Sequence, residues 1–176
     1  MAFELVLSLI RPFYALDARW SAGFSGSDLD SEQRLYDLGE KAAEYRQRRE
    51  YLTAFGGWSA GLRKGWVTRY TAGLAYEKNT FSEVPEPEYP PAIPADRELA
   101  YPYFGIEILQ DKFQTAQNRE QIKRTEDFLV GTRFAATLGW SDENFGADRD
   151  AALYWLSASH TFGDIGKSAV LVAAEA

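Results

Sequence analysis

The residues able to do chemistry in this chain are few, and their types already exclude most reactions. There is one histidine, His160, in "SASHTF" beside Ser157, Ser159 and Thr161, and there is no cysteine. A serine–histidine pair is the minimum for nucleophilic catalysis at a hydroxyl. Successive residues of a strand point to opposite faces, so Ser159 and His160 point apart. His160 is expected as a rim or girdle residue, and the chain as a non-enzyme. The lack of cysteine removes thiol catalysis, disulfide frameworks and zinc–thiolate sites. A lone histidine cannot build a multi-histidine metal centre within one chain.

Carboxylates gather in "DLDSE" (Asp28, Asp30, Glu32), in "EVPEPE" and in "SDENFGADRD" (Asp142, Glu143, Asp148, Asp150). Oxygen-rich stretches suit Ca²⁺, or a divalent cation bridging to lipopolysaccharide phosphates. The first lacks the glycine and terminal glutamate of an EF-hand loop. Solvated loop charge is the expectation for all three, with no metal or cofactor. "EYRQRRE" brings Arg46, Arg48 and Arg49 together. On a strand Arg46 and Arg48 share a face, where they suit lipid phosphate at a rim or pairing with lumen acids. A net charge of −7 argues against nucleic acid, which needs a basic face.

What must position these groups is β structure. At 176 residues the chain is one domain or part of one, covering 1–176, with 15% aromatic residues and 14 glycines. No stretch approaches the ~18 consecutive apolar residues of a membrane-spanning helix. "MAFELVLSLI" alternates, with Phe3, Leu5, Leu7 and Leu9 against Glu4, Val6 and Ser8. It lacks the basic region and cleavage site of a secretory signal. Both ends read as strands cut short, which sets up the expectation of a fragment of a longer chain.

The second strand is expected to run from Tyr14 to about Ser25. Tyr14, Leu16, Ala18, Trp20, Ala22 and Phe24 then lie on one face, and Ala15, Asp17, Arg19, Ser21, Gly23 and Ser25 on the other. The polar run that follows is a long loop or a protruding hairpin, with a short helix over 31–49 as an alternative. "YLTAFGGWSAGL", a tight turn at "RKG" and "WVTRYTAGLAYEK" make a hairpin. Five of the seven prolines fall in 82–98, which must be an exposed loop. "YPYFGIEILQDKF" is extended again, and a polar link over 114–126 leads to "DFLVGTRFAATLGW", with Phe128, Phe134 and Trp140 on one face. After "AALYWLSASHTF" and a "GDIG" turn, "KSAVLVAAEA" is the last strand.

About eight antiparallel strands result, with shorter turns at one rim and longer loops at the other. The link at 114–126 breaks that rule. In each strand one face is aromatic and aliphatic, while the other is small and polar with isolated charges. A soluble sheet would put its large aliphatics inside and its charges outside. The observed pattern suits an up-and-down transmembrane β-barrel, all-β, whose outer face meets lipid and whose inner face lines a wet lumen. Lumen-facing polar residues are then Asp17, Arg19, Arg69, Glu77, Glu107 and Arg133, paired largely as structural ions. The membrane girdle is Trp20, Trp58, Trp66, Tyr76, Phe128 and Trp140. A soluble lipocalin-like carrier with an aromatic cavity is the competing reading.

"RPFYALDARWSAG", "EYRQRREYLTAFGGWSAGL", "VTRYTAGLAYEKNTF" and the run 101–140 together resemble barrel segments of bacterial surface-antigen proteins, in the BamA/TamA superfamily of outer-membrane proteins. The resemblance spans residues 5–162. It implies half of a larger barrel, of a kind often preceded by POTRA repeats, that assembles or translocates polypeptides in the outer membrane. Partners implied are outer-membrane lipid, lipopolysaccharide and unfolded outer-membrane polypeptides. The family's Val-Arg-Gly-aromatic loop motif is missing, "VGTRF" at 130–134 having another order, and no aromatic strand closes the chain. A complete small eight-stranded barrel, structural or adhesive, is the alternative within the same membrane.

Overall fold

Leu38 and Gly39 both adopt positive φ (47° and 91°), the requirement of a two-residue type I′ hairpin turn. That turn decides the ambiguous polar run. In the computed structural model, which describes residues 3–84, 93–117, 124–165 and 168–176, the run is one long hairpin. β1 (Phe3–Arg11) is followed by β2 (Trp20–Asp37) and β3 (Glu40–Ser59), paired from Trp20↔Trp58 out to Asp37↔Glu40 with one register shift at Leu35/Tyr36. The helix considered for 31–49 does not form, because the charged side chains pair across strands instead. Among the described residues there is no α-helix.

β4 (Trp66–Ser82) returns after a second positive-φ pair, Lys64 and Gly65, closed by two backbone hydrogen bonds between Arg63 and Trp66. β5 (Arg97–Gln110) pairs with β4. The link after it is a small separate hairpin, β6 (Phe113–Gln117) with β7 (Thr125–Leu129). It protrudes from the rim where a short turn was expected. β8 (Arg133–Ser141), β9 (Ala151–Asp164) and β10 (Ser168–Glu175) complete the main sheet. A 3-10 turn, Glu143–Phe145, sits in the 142–150 connection, capped by the Asp142 carboxylate. The strand order is β1-β2-β3-β4-β5-β8-β9-β10, an antiparallel up-and-down sheet of eight strands. Among the described residues no pairing joins β1 to β10. Parts of three expected connections, at 85–92, 118–123 and 166–167, lie outside the described residues.

Two sequence boundaries are corrected. The second strand starts at Trp20, not Tyr14. Pro12 has no N–H to give a ladder, and the Ala18 amide bonds back to the Ala15 carbonyl, so 12–19 is a compact turn. The segment around Phe128 belongs to β7 in the small hairpin, separated from β8 by a break at 130–132.

Crowding is one-sided. Val67, Ala75, Leu99, Leu109 and Ala135 are all buried, and register places them on the polar face, with buried Ser21, Ser59, Asn79 and Ser141. The other face carries most of the large exposed apolar chains.

Candidate functional site

The exposed apolar face is a belt. Register aligns Trp20, Trp58, Tyr70, Ile106, Ala136 and Leu156 in one row across six strands, and Leu9, Phe24, Ala54, Leu74 and Pro102 in another. Trp58 stacks on Tyr70, and Tyr70 on Phe104, each at 6.2 Å between ring centroids. About twenty large apolar residues stand on this face, most of them half-exposed or more: Leu74 is 65% exposed, Leu138 63% and Tyr154 70%. At roughly 100 Å² each they present on the order of 2,000 Å² of apolar surface. The largest patch on a soluble monomer is about 300–600 Å². The belt exceeds that severalfold.

Its upper edge is abrupt. Two residues beyond Tyr76 the same face changes to Asp28, Glu50, Lys78 and Glu98, four charges in one row. Above them Arg46 grips Asp30 with two hydrogen bonds of 2.6 Å, and Arg48 grips Asp28 at 3.0 and 2.7 Å. The guanidinium hydrogen bonds hold both carboxyls below their ordinary range. Asp28, Asp30 and Glu32 are thus strand residues in β2 and not a loop. Along β4 the belt runs from Trp66 to Tyr76, about 34 Å of strand at about 3.4 Å per residue, or roughly 25 Å in height for a tilt near 40°. Trp20, Trp58 and Trp66 mark its lower edge, and Tyr76 and Trp140 lie toward the opposite one. Phe128, on β7, stands outside this girdle.

The polar face is organised differently. Arg69 on β4 and Glu107 on β5 are directly opposite, at 2.9 Å, and Arg133 on β8 reaches the other oxygen of Glu107 at 2.7 and 2.8 Å. Glu107 therefore bridges two arginines with one carboxylate, and the triad keeps a net positive charge. Arg69 also donates to the Ala15 carbonyl and lies 5.0 Å from the Phe13 ring, while its Nε is buried without a partner. Glu77 accepts from Arg97 at 2.5 Å and from Asn79 at 2.8 Å. Asp17 and Arg19 are not strand residues. They lie in the 12–19 turn, where Arg19 donates to the Ala60 carbonyl and packs on Gly61.

Rings on this face lie across glycines. A Cβ on Gly23 would meet Phe55 at 2.5 Å, on Gly73 the Tyr103 ring at 2.7 Å, and on Gly139 the Tyr101 ring at 2.8 Å. Only hydrogen leaves room there. Flattened over Gly73, Tyr103 crosses β4 and its hydroxyl comes within 3.3 Å of Thr53 Oγ1. Sequence reading missed these joints, although Gly and aromatic residues alternating on one face were there to be read.

His160 shares its face with Val172 and Phe162, its ring 4.5 Å from Phe162 and its Nδ1 2.9 Å from Thr132 Oγ1. Among the described residues no group of three or more acidic or histidine side chains is placed to hold a metal ion. Among the described residues no helix is long and apolar enough to cross a membrane. No protein-family model, curated protein or solved structure matches this chain. Its geometry must carry the functional reading.

Proposed function

We propose that the sheet is the wall of a bacterial outer-membrane β-barrel of the surface-antigen type, non-enzymatic, which contributes to insertion or translocation of polypeptides. The belt carries the reading. A band of apolar surface with the height of an outer-membrane hydrocarbon core, edged by tryptophans below and by a row of charges above, suits lipid better than water. The polar face, with its ion pairs and small residues, suits a hydrated interior. Backbone groups in hydrocarbon must all be paired, so the edges of β1 and β10 would close on each other or on further strands. The first arrangement is a small complete barrel and the second a larger one. Lipid and lipopolysaccharide are then its constant partners, and unfolded outer-membrane polypeptides its cargo.

Tryptophan placement supplies the test. Trp20, Trp58, Trp66 and Trp140 stand on the apolar face, whereas Trp155 stands on the polar face and donates to Glu175. Single-tryptophan variants folded into vesicles of phosphatidylcholine with brominated chains should show strong quenching for the first four and little for Trp155. Equal quenching at all five positions would overturn the reading. So would monodisperse folded protein recovered without detergent.

A further inference from the structure

At the charged end of the sheet, beyond the belt but on the polar face, lies a cavity of about 550 Å³. Its floor is Gln47, Arg49 and Tyr51 of β3 with Glu77 and Asn79 of β4, and part of its wall is the loop at 94–95. That loop is held in place. The Asp96 carboxylate accepts from the Phe81 amide at 2.8 Å, and Arg149 donates to the Asp96 carbonyl at 3.2 Å.

The polar groups of the floor fall into two sets. One is satisfied internally: Gln47 donates to Asn79, and Asn79 and Arg97 donate to Glu77, a chain across three strands. Asn79 is 3% exposed, so this chain is fixed. The other set is unspent. Among the described residues the guanidinium of the exposed Arg49 and the hydroxyl of the half-buried Tyr51 have no hydrogen-bond or ion-pair partner within the chain, and the two residues, two apart on one strand, line the same cavity. Its neighbours Arg46 and Arg48, on the opposite face, are each saturated by an aspartate. A planar guanidinium with all its donors free is shaped for a carboxylate or phosphate, taken through two parallel hydrogen bonds.

We propose that this cavity binds a small soluble sugar bearing a carboxylate or phosphate, with Arg49 and Tyr51 as the donors to its oxyanion. The volume lies in the range of ordinary small-ligand sites, about 300–1,000 Å³. Tyr51 and Phe81 add aromatic lining for a sugar's C–H surface, and the Gln47 Oε1, whose amide gives only an N–H to Asn79, can accept from a hydroxyl. The cavity's place on the polar face makes the site independent of what covers the belt.

Calorimetric titration of the full chain, in whichever of detergent or buffer keeps it folded, tests the site with glucuronate, glucose 6-phosphate and glucose. Both anions should bind, and glucose at least about tenfold more weakly, the difference made by one charge-assisted bidentate pair. Arg49→Gln should lose about tenfold or more, Arg49→Lys less, and Tyr51→Phe a few-fold. Arg46→Gln, on the other face, should bind as the parent does. Circular dichroism and heat-modifiable gel mobility report that each variant is folded. Absence of binding by both anions, or an Arg49→Gln variant that binds them unchanged, overturns the site and leaves the membrane reading untouched. Failure of the quenching experiment leaves this site equally untouched.

Discussion

Ala72→Arg separates a face that meets lipid from one that meets water. Ala72 is exposed on the apolar face of β4, in the row Gly56–Ala72–Phe104–Leu138, six residues from Trp66 and four from Tyr76. At about 3.4 Å per residue and a tilt near 40°, it stands roughly 10 Å below the upper edge of the belt and about 15 Å above the lower. That is close to mid-height. An arginine at the midplane of an outer-membrane barrel costs about 2–4 kcal/mol, a change of roughly 30- to 1,000-fold in the folding equilibrium. On a water-exposed strand the same substitution stays within about 0.5 kcal/mol. Thr80→Arg, two residues above Lys78, is the internal control and should cost less than about 1 kcal/mol. Denaturant unfolding from phosphatidylcholine vesicles, followed by tryptophan emission, measures both. If Ala72→Arg and Thr80→Arg differ by less than about 0.5 kcal/mol, the lipid-facing argument fails.

Three further outcomes follow from particular contacts. Gly23→Ala, whose new methyl would meet Phe55 at 2.5 Å and Ile10 at 3.1 Å, should destabilise by about 1–3 kcal/mol, and a second change, Phe55→Leu, should recover much of the loss in the same unfolding assay. Glu107→Gln leaves two arginines facing each other, one with its side chain only 14% exposed, so about 1–3 kcal/mol is expected, against about 1 kcal/mol or less for Arg133→Gln at its half-exposed partner. The Asp148 carboxyl is lowered to about 2 by hydrogen bonds from the Arg149 guanidinium. Because that lies below the unfolded value near 3.9, its contribution is complete above about pH 4 and is lost as the pH falls through about 2. A carboxyl titration by NMR should show this midpoint, and Arg149→Gln should move it back toward 3.9.

How far the sequence could be read depended on whether one face of a strand was uniform. In β1, and in the parts of β3 (Leu52–Trp58) and β4 (Trp66–Tyr76) that lie in the belt, one face carries most of the large apolar residues, so faces and partners were legible there. In 12–19 the alternation of Tyr14, Leu16 and Ala18 with Ala15, Asp17 and Arg19 imitates a strand, yet Pro12 and the Ala18–Ala15 hydrogen bond make it a turn. Asp17 and Arg19 were misplaced for that reason. Over 31–49 most residues are polar, so period alone could not separate hairpin from helix. The outcome was settled by positive φ at Leu38, a residue type that carries little turn signal, and by arginine–aspartate pairs between strands. Glu107 was recognisable as an acid among arginines, but that it serves two of them depends on the β5–β8 register. The freedom of Arg49 was invisible, since three arginines in four residues look alike until the pleat sends two one way and one the other.

The rings laid over glycines have a consequence for how the strands find their places. A slip of one residue between strands turns every apolar side chain to the wrong face, and alternation alone forbids it. A slip of two leaves both faces chemically unchanged, so patterning is blind to it. The joints are not. Moved by two, Phe55 would ride on Ser21 or Ser25, and Tyr103 on Thr71 or Ala75, each with a side chain where the ring needs bare backbone. The glycines thus act as a vernier, rejecting the even-numbered errors that the two-residue rhythm of the sheet lets through.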